Sequence, residues 1–178
     1  PFLIQITSGA AEGRLFLIAS SANTGGAIAG TANTDTTVTV SSIDATQVDL
    51  TTLGIASGTD TYKIFACDTL SSFFGTPATS GVQGGTSAAS SDTIIAVSNG
   101  VPSTYYFNTT SAKWVKVAFG SPDASNVALL PYYGVQYSRL ANTALSFVIT
   151  GQVPTVQREV AVKNSGTTVV SQFWPTDT

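Results

Sequence analysis

Short apolar runs alternate along the chain with short stretches of turn-forming residues. Thr37-Val38-Thr39-Val40 alternates polar and apolar positions, as do Lys113-Trp114-Val115-Lys116-Val117-Ala118-Phe119 and Leu145-Ser146-Phe147-Val148-Ile149. The stretch from Val156 to Val162 does the same, with Arg158 as the odd member of its inward set. A period of two belongs to a strand with one face on a core and one towards solvent. Leu15-Phe16-Leu17-Ile18 and Ile94-Ile95-Ala96-Val97 are apolar at both parities, which predicts central strands covered on both faces. Between the runs lie Asn23-Thr24-Gly25-Gly26, Ser57-Gly58-Thr59-Asp60, Asn99-Gly100-Val101-Pro102, Ser121-Pro122-Asp123 and Asn164-Ser165-Gly166. Many short strands with such punctuation predict an all-β chain, an antiparallel β-sandwich or a barrel-like fold. Helical periodicity is nearly absent. Asp68-Thr69-Leu70-Ser71-Ser72-Phe73-Phe74 could form one or two short helical turns, with Asp68 as cap and Gly75 as stop.

The 178 residues suffice for a single β domain over 1–178. Residues 75–91, GTPATSGVQGGTSAASS, are small and hold nothing that could fill a core. They read as an exposed, mobile loop, and they could join two halves, 1–74 and 92–178.

Composition narrows the function. Only 10% of residues are charged, against about 25% in an ordinary soluble domain. Roughly a quarter are Ser or Thr, so the surface carries hydroxyls more than charges. The net charge is −3, and seven Lys and Arg spread over the chain cannot make the basic face that a nucleic acid needs. No run of about 18 apolar residues is present to span a membrane as a helix. The chain has no Met, not even at position 1. That points to a processed N-terminus, so the expectation is an exported protein at the cell surface or outside the cell. A piece cut from a longer chain is the alternative.

Candidate chemistry is sparse. TSGAAEGR, residues 7–14, resembles a phosphate loop in its glycines. A phosphate cradle needs a helix N-terminus behind it, and the nucleotide form needs Lys followed by Ser or Thr. Here Gly13 leads through Arg14 into an apolar strand run, which predicts a hairpin connection instead. Histidine is absent, which removes the commonest general base and the Ser-His-Asp and Cys-His arrangements. Cys67 is the only cysteine, so neither an internal disulfide nor a cysteine zinc site can form. With Asp68 beside it, Cys67 reads as a small core residue and not a thiolate. The ten Asp and Glu lie mostly in turn contexts. A hydrolase built on two carboxylates is therefore a distant third reading. No calcium-loop spacing occurs. No metal or other cofactor is expected, and Asn108-Thr109-Thr110 is a formal glycosylation sequon without further support.

Aromatic and terminal residues carry what remains. Trp114 alternates with Val115 and Val117, which places it on the outward face beside Lys116. Tyr132 and Tyr133 sit between Pro131 and Gly134 in a loop context. Exposed, these three could stack on sugar rings or anchor an interface. The alternative puts Trp114 beneath a loop or a second sheet. Phe2-Leu3-Ile4-Gln5-Ile6 is strongly apolar from the outset. Burying Phe2, Leu3, Ile4 and Ile6 is worth on the order of 5–10 kcal/mol. Such a strand must be covered by its own chain or by another subunit, because left bare it invites aggregation. Thr167 to Trp174 is similar.

The segments FLIQITSGAAEGRLFLI, GTDTYKIFACDTLSSFFG, STYYFNTTSAKWVKV and LPYYGVQYSRLANTALSFVITGQVP, taken in order, resemble an uncharacterised exported, paralogue-rich family of β-rich proteins from bacteria of the verrucomicrobial group. The resemblance covers most of residues 2–154. Gly58-Thr59-Asp60 carries one residue more than the family's Gly-Asp. The resemblance implies an exported bacterial β protein and brings no catalytic residues. The expectation is then a non-enzymatic extracellular structural protein, a homo-oligomer or polymer that forms a filament or surface layer through terminal strands or sheet edges. Phe2–Ile6 is the expected inter-subunit strand. A glycan-binding or adhesive module using Trp114, Tyr132 and Tyr133 is the alternative.

Overall fold

The computed structural model describes residues 1–23, 36–42, 50–56, 58–98, 101–131 and 133–147. They form an all-β chain with two four-stranded antiparallel sheets. The chain divides into two compact units, the first covering Pro1–Ala66 and the second beginning at Cys67.

The first sheet holds β1 (Phe2–Ile6), β2 (Leu15–Asn23), β3 (Thr36–Ser42) and β4 (Tyr62–Ala66), in the order β3-β2-β1-β4. β1 therefore lies between two strands of its own chain. It pairs with β2 through Ile4 opposite Phe16, and with β4 through Ile4 opposite Ile64. The expectation that Phe2–Ile6 is the strand given to a neighbour is corrected here, because both of its edges already carry ladder hydrogen bonds. TSGAAEGR is the β1–β2 connection. Ile6 N–H donates to the Arg14 carbonyl at 3.0 Å, and Gly13 N–H to the Ile6 carbonyl at 2.9 Å. Gly9 has φ +83°, and a Cβ there would collide with the Asp60 carboxylate, so this turn takes only glycine. Ile6, Ala11, Phe16 and Val40 form the core of the unit. The opposite face is also closed along β1 and β2, where Leu3, Gln5 and Leu15 are buried. This is the two-sided burial expected of Leu15–Ile18.

The second sheet holds β5 (Thr93–Ser98), β6 (Val101–Asn108), β7 (Lys113–Lys116) and β8 (Gln136–Ser138), in the order β7-β6-β5-β8. β5 is central and contains Ile94–Val97, as its two-sided apolarity predicts. One face carries the core of Ile94, Ala96, Tyr105, Phe107 and Trp114, closed by Leu70, Phe74, Val82 and Ala124. Leu70 and Phe74 come from α1 (Leu70–Phe74). Its N-cap is Thr69 rather than Asp68: Thr69 Oγ1 accepts from Ser72 N–H, and Ser72 Oγ accepts from Thr69 N–H. Gly75 ends the helix, donating its N–H to the Ser71 carbonyl.

Residues 75–91 are not a core-free mobile loop. They contain α2 (Pro77–Ser80) and a single 3-10 turn at Ala88–Ser90. The α1 exchange recurs in both: Thr79 Oγ1 accepts from Thr76 N–H at 2.9 Å and Ser90 Oγ from Ser87 N–H at 3.2 Å. Hydroxyls thus satisfy the donors that a short helical turn leaves open. Val82, 2% exposed, pins the tract to the core. A Cβ at Gly85 would collide with Ser90, so the tract's small residues serve close backbone approach. Of the predicted strands, Val156–Val162 and the Thr167–Trp174 run lie outside the described residues. Leu145–Phe147 is irregular and not a strand.

Candidate functional site

The two candidate surfaces from the sequence fall in different places. Trp114, expected to face outward, is 1% exposed. Its ring packs edge-on against Phe107 at 5.8 Å and tilts against Phe74 at 5.9 Å. Its Nε1–H donates to the Gly75 carbonyl at 2.8 Å. The physical reason is that both faces of β7 are covered: Val115 is buried as well. Lys116 shares a parity with Trp114 but lies two residues on, where it is half-buried. Trp114 is therefore unavailable to stack on a sugar. Tyr133 is half-buried, and Tyr132 lies outside the described residues.

The assembly candidates separate in the same way. Leu3 and Ile6 are buried, Ile4 is half-buried, and Phe2 is 54% exposed. What stays open is the neighbouring strand. Among the described residues β4 is one edge of the first sheet and β3 the other. Tyr62 is 62% and Ile64 44% exposed. In the β1–β4 register Ile6 faces Tyr62, Ile4 faces Ile64, and Phe2 faces Ala66. Residues directly opposite in an antiparallel pair share a face. The apolar face that carries Ile6 and Phe16 thus continues outward to Tyr62, Ile64 and Phe2, where it meets solvent. Lys63 belongs to the other face, opposite Gln5. The charge that would blunt the edge does not interrupt the apolar row. The second sheet's β7 edge is closed differently: Lys116 N–H donates to the Pro122 carbonyl, and Ala124 N–H to the Trp114 carbonyl.

Two carboxylates of the second unit are engaged in bonds. Asp92 is fully buried. Its Oδ1 accepts from Leu140 N–H at 2.8 Å, and its Oδ2 from Gln83 N–H at 2.8 Å, Tyr137 O–H at 2.5 Å and Arg139 Nη1 at 2.5 Å. Burial alone would raise its pKa. The bonds from Tyr137, the two backbone donors and Arg139 overcome this and hold it below the ordinary carboxylate value. Burial and the adjoining carboxylate push the Tyr137 phenol up to about 12. With its side chain fully buried under these donors, the carboxylate is held ionised and away from solvent. Asp123 is exposed and paired with Lys113 at 2.8 Å, which with the Ser125 N–H and hydroxyl lowers it to about 2. Cys67 is buried, and burial and the Asp68 carboxylate push its thiol up to about 11, the reverse of an activated nucleophile. Gln5 Nε2 is buried with no hydrogen-bond partner among the described residues. Among the described residues no group of three His, Cys, Asp or Glu could hold a metal ion. Nor, among them, is any helix long and apolar enough to cross a membrane.

The β4 edge was not singled out from the sequence. Tyr62-Lys63-Ile64-Phe65-Ala66 reads as an ordinary strand, and only the order of strands makes it an edge. No family model, no curated protein and no solved structure matches this chain.

Proposed function

We propose that this chain is a non-enzymatic structural protein that works outside the cell by associating with copies of itself, joined through the β4 edge of the first sheet. The observation that carries the reading is the apolar row at that edge, Tyr62 and Ile64 beside Phe2, all exposed. An edge strand presents unpaired N–H and C=O groups, and a second strand added there is held by main-chain hydrogen bonds. Flanking apolar side chains add burial to that pairing. The role expected of β1 passes to β4, since β1 is paired on both sides. The buried Asp92, the paired Asp123 and the raised Cys67 thiol support a role without catalysis. The low charge, the hydroxyl-rich composition and the family resemblance support a place at the cell surface or beyond it.

The test is mass against concentration by light scattering, for the wild type and a variant with Tyr62→Lys and Ile64→Lys. The wild type is expected to rise above the 18.2 kDa of one chain, and the variant to stay there with an unchanged circular dichroism spectrum. A wild type that stays at one chain, or a folded variant that associates equally well, overturns the proposal.

A further inference from the structure

Residues 139–147 have no regular secondary structure, yet they close the aromatic core of the second unit. Leu145 and Phe147 pack against the cluster around Phe74. The Phe147 ring stands edge-on to Phe74 at 5.6 Å and to Tyr137 at 5.3 Å. Arg139 holds the other end. Its Nη1 donates to Asp92 and to the Gly81 carbonyl, while its Nε and Nη2 reach forward to the carbonyl and hydroxyl of Thr143. Leu140 N–H adds the second bond to Asp92. Among the described residues no backbone-to-backbone hydrogen bond joins 139–147 to the rest of the unit.

That pattern differs from every described strand. A strand leaves a sheet only by breaking a ladder. This segment is fastened at two points, one ionic and one aromatic, both through side chains on at least one partner. The socket for the ionic point also stands without it: Asp92 is held from the body of the unit by Gln83 N–H and Tyr137 O–H. We propose that residues 139–147 are a strap that opens from the aromatic core as one piece, with the Asp92–Arg139 pair as its latch and Phe147 as its seat. Opening uncovers the stacked Phe74 and Tyr137 rings and leaves the β5–β6 ladder intact. Local opening of this kind lies below the global unfolding free energy. The latch sets its frequency, because parting the pair leaves a buried carboxylate without its countercharge.

Tryptic cleavage of the full chain after Arg139, timed by mass spectrometry beside hydrogen exchange in β6, tests this in the wild type, Asp92→Asn and Phe147→Ala. The expected result is at least tenfold faster cleavage after Arg139 in either variant. In the wild type, low urea is expected to speed exchange in β6 but not cleavage after Arg139, since a local opening exposes little surface. Cleavage after Arg139 that climbs with urea in step with β6 exchange overturns the strap, because the segment then leaves only when the core unfolds. Unchanged cleavage after Arg139 in Asp92→Asn overturns the latch. If Asp92→Asn does not fold, Phe147→Ala and the wild-type urea series decide between the same outcomes.

Discussion

Replacing Trp114 with Ala separates a buried tryptophan from an exposed one by magnitude alone. The ring is 1% exposed, meets Phe74 and Phe107, and donates to the Gly75 carbonyl. Truncating a buried Trp to Ala costs about 3–5 kcal/mol through lost transfer energy and the cavity left behind. Of this, about 1 kcal/mol is the Gly75 hydrogen bond. A domain of this kind is stable by about 5–15 kcal/mol, so the loss is a large share of the total. With an m-value of about 2 kcal/mol/M, the urea midpoint of the second unit is expected to fall by roughly 2 M. The assay is far-UV circular dichroism against urea, which does not depend on the indole that has been removed. A surface substitution stays within about 0.5 kcal/mol, or roughly 0.25 M on the same scale. A midpoint shift that small refutes the burial of Trp114 and returns it to the surface as a ligand contact.

Three further outcomes follow from buried polar groups. Gln5→Leu is expected to stabilise the first unit by about 1 kcal/mol, since it removes a buried amide nitrogen that has no partner among the described residues; a lower urea midpoint would show that the nitrogen is paired. Cys67, with its thiol pushed up to about 11, is expected to react with an aromatic disulfide reagent at pH 8 about a hundredfold more slowly in the folded chain than in urea. Equal rates would place it at the surface. The lowered Asp92 gives stability that is present above the unfolded carboxylate value of roughly 3.9 and is lost as pH falls through the lower folded value. The gap in urea midpoint between wild type and Asp92→Asn is therefore expected to narrow as pH drops below about 4. A gap that stays constant down to about pH 2 contradicts the assignment of charge.

Strand identity was legible because a period of two is a local property. β3, β5 and β7 lie where alternation or two-sided apolarity places them, and Gly75 stops the short helix as expected. The sidedness of Trp114 was not legible. Alternation assigns parity, but which parity is covered depends on α1, which comes from residues about forty positions earlier. The order of residues 75–91 was hidden for a different reason. Hydropathy scores Thr76, Thr79, Ser87 and Ser90 as neutral, whereas their value lies in hydroxyl bonds to nearby backbone. One side chain, Val82, then suffices to anchor the tract. Asp92 and Arg139 are 47 residues apart, and neither carries a local mark of the other. The apolar terminus announced a strand needing cover, and local pattern could not say that β2 and β4 of the same chain supply it.

Self-association through β4 is tested most directly at the strand itself, by hydrogen exchange of Tyr62–Ala66 at low and high protein concentration. Main-chain pairing with a second copy is expected to slow exchange at those β4 amides that face away from β1, in step with rising mass, and to leave β6 unchanged. Association that proceeds while every β4 amide exchanges at its dilute rate would contradict the account.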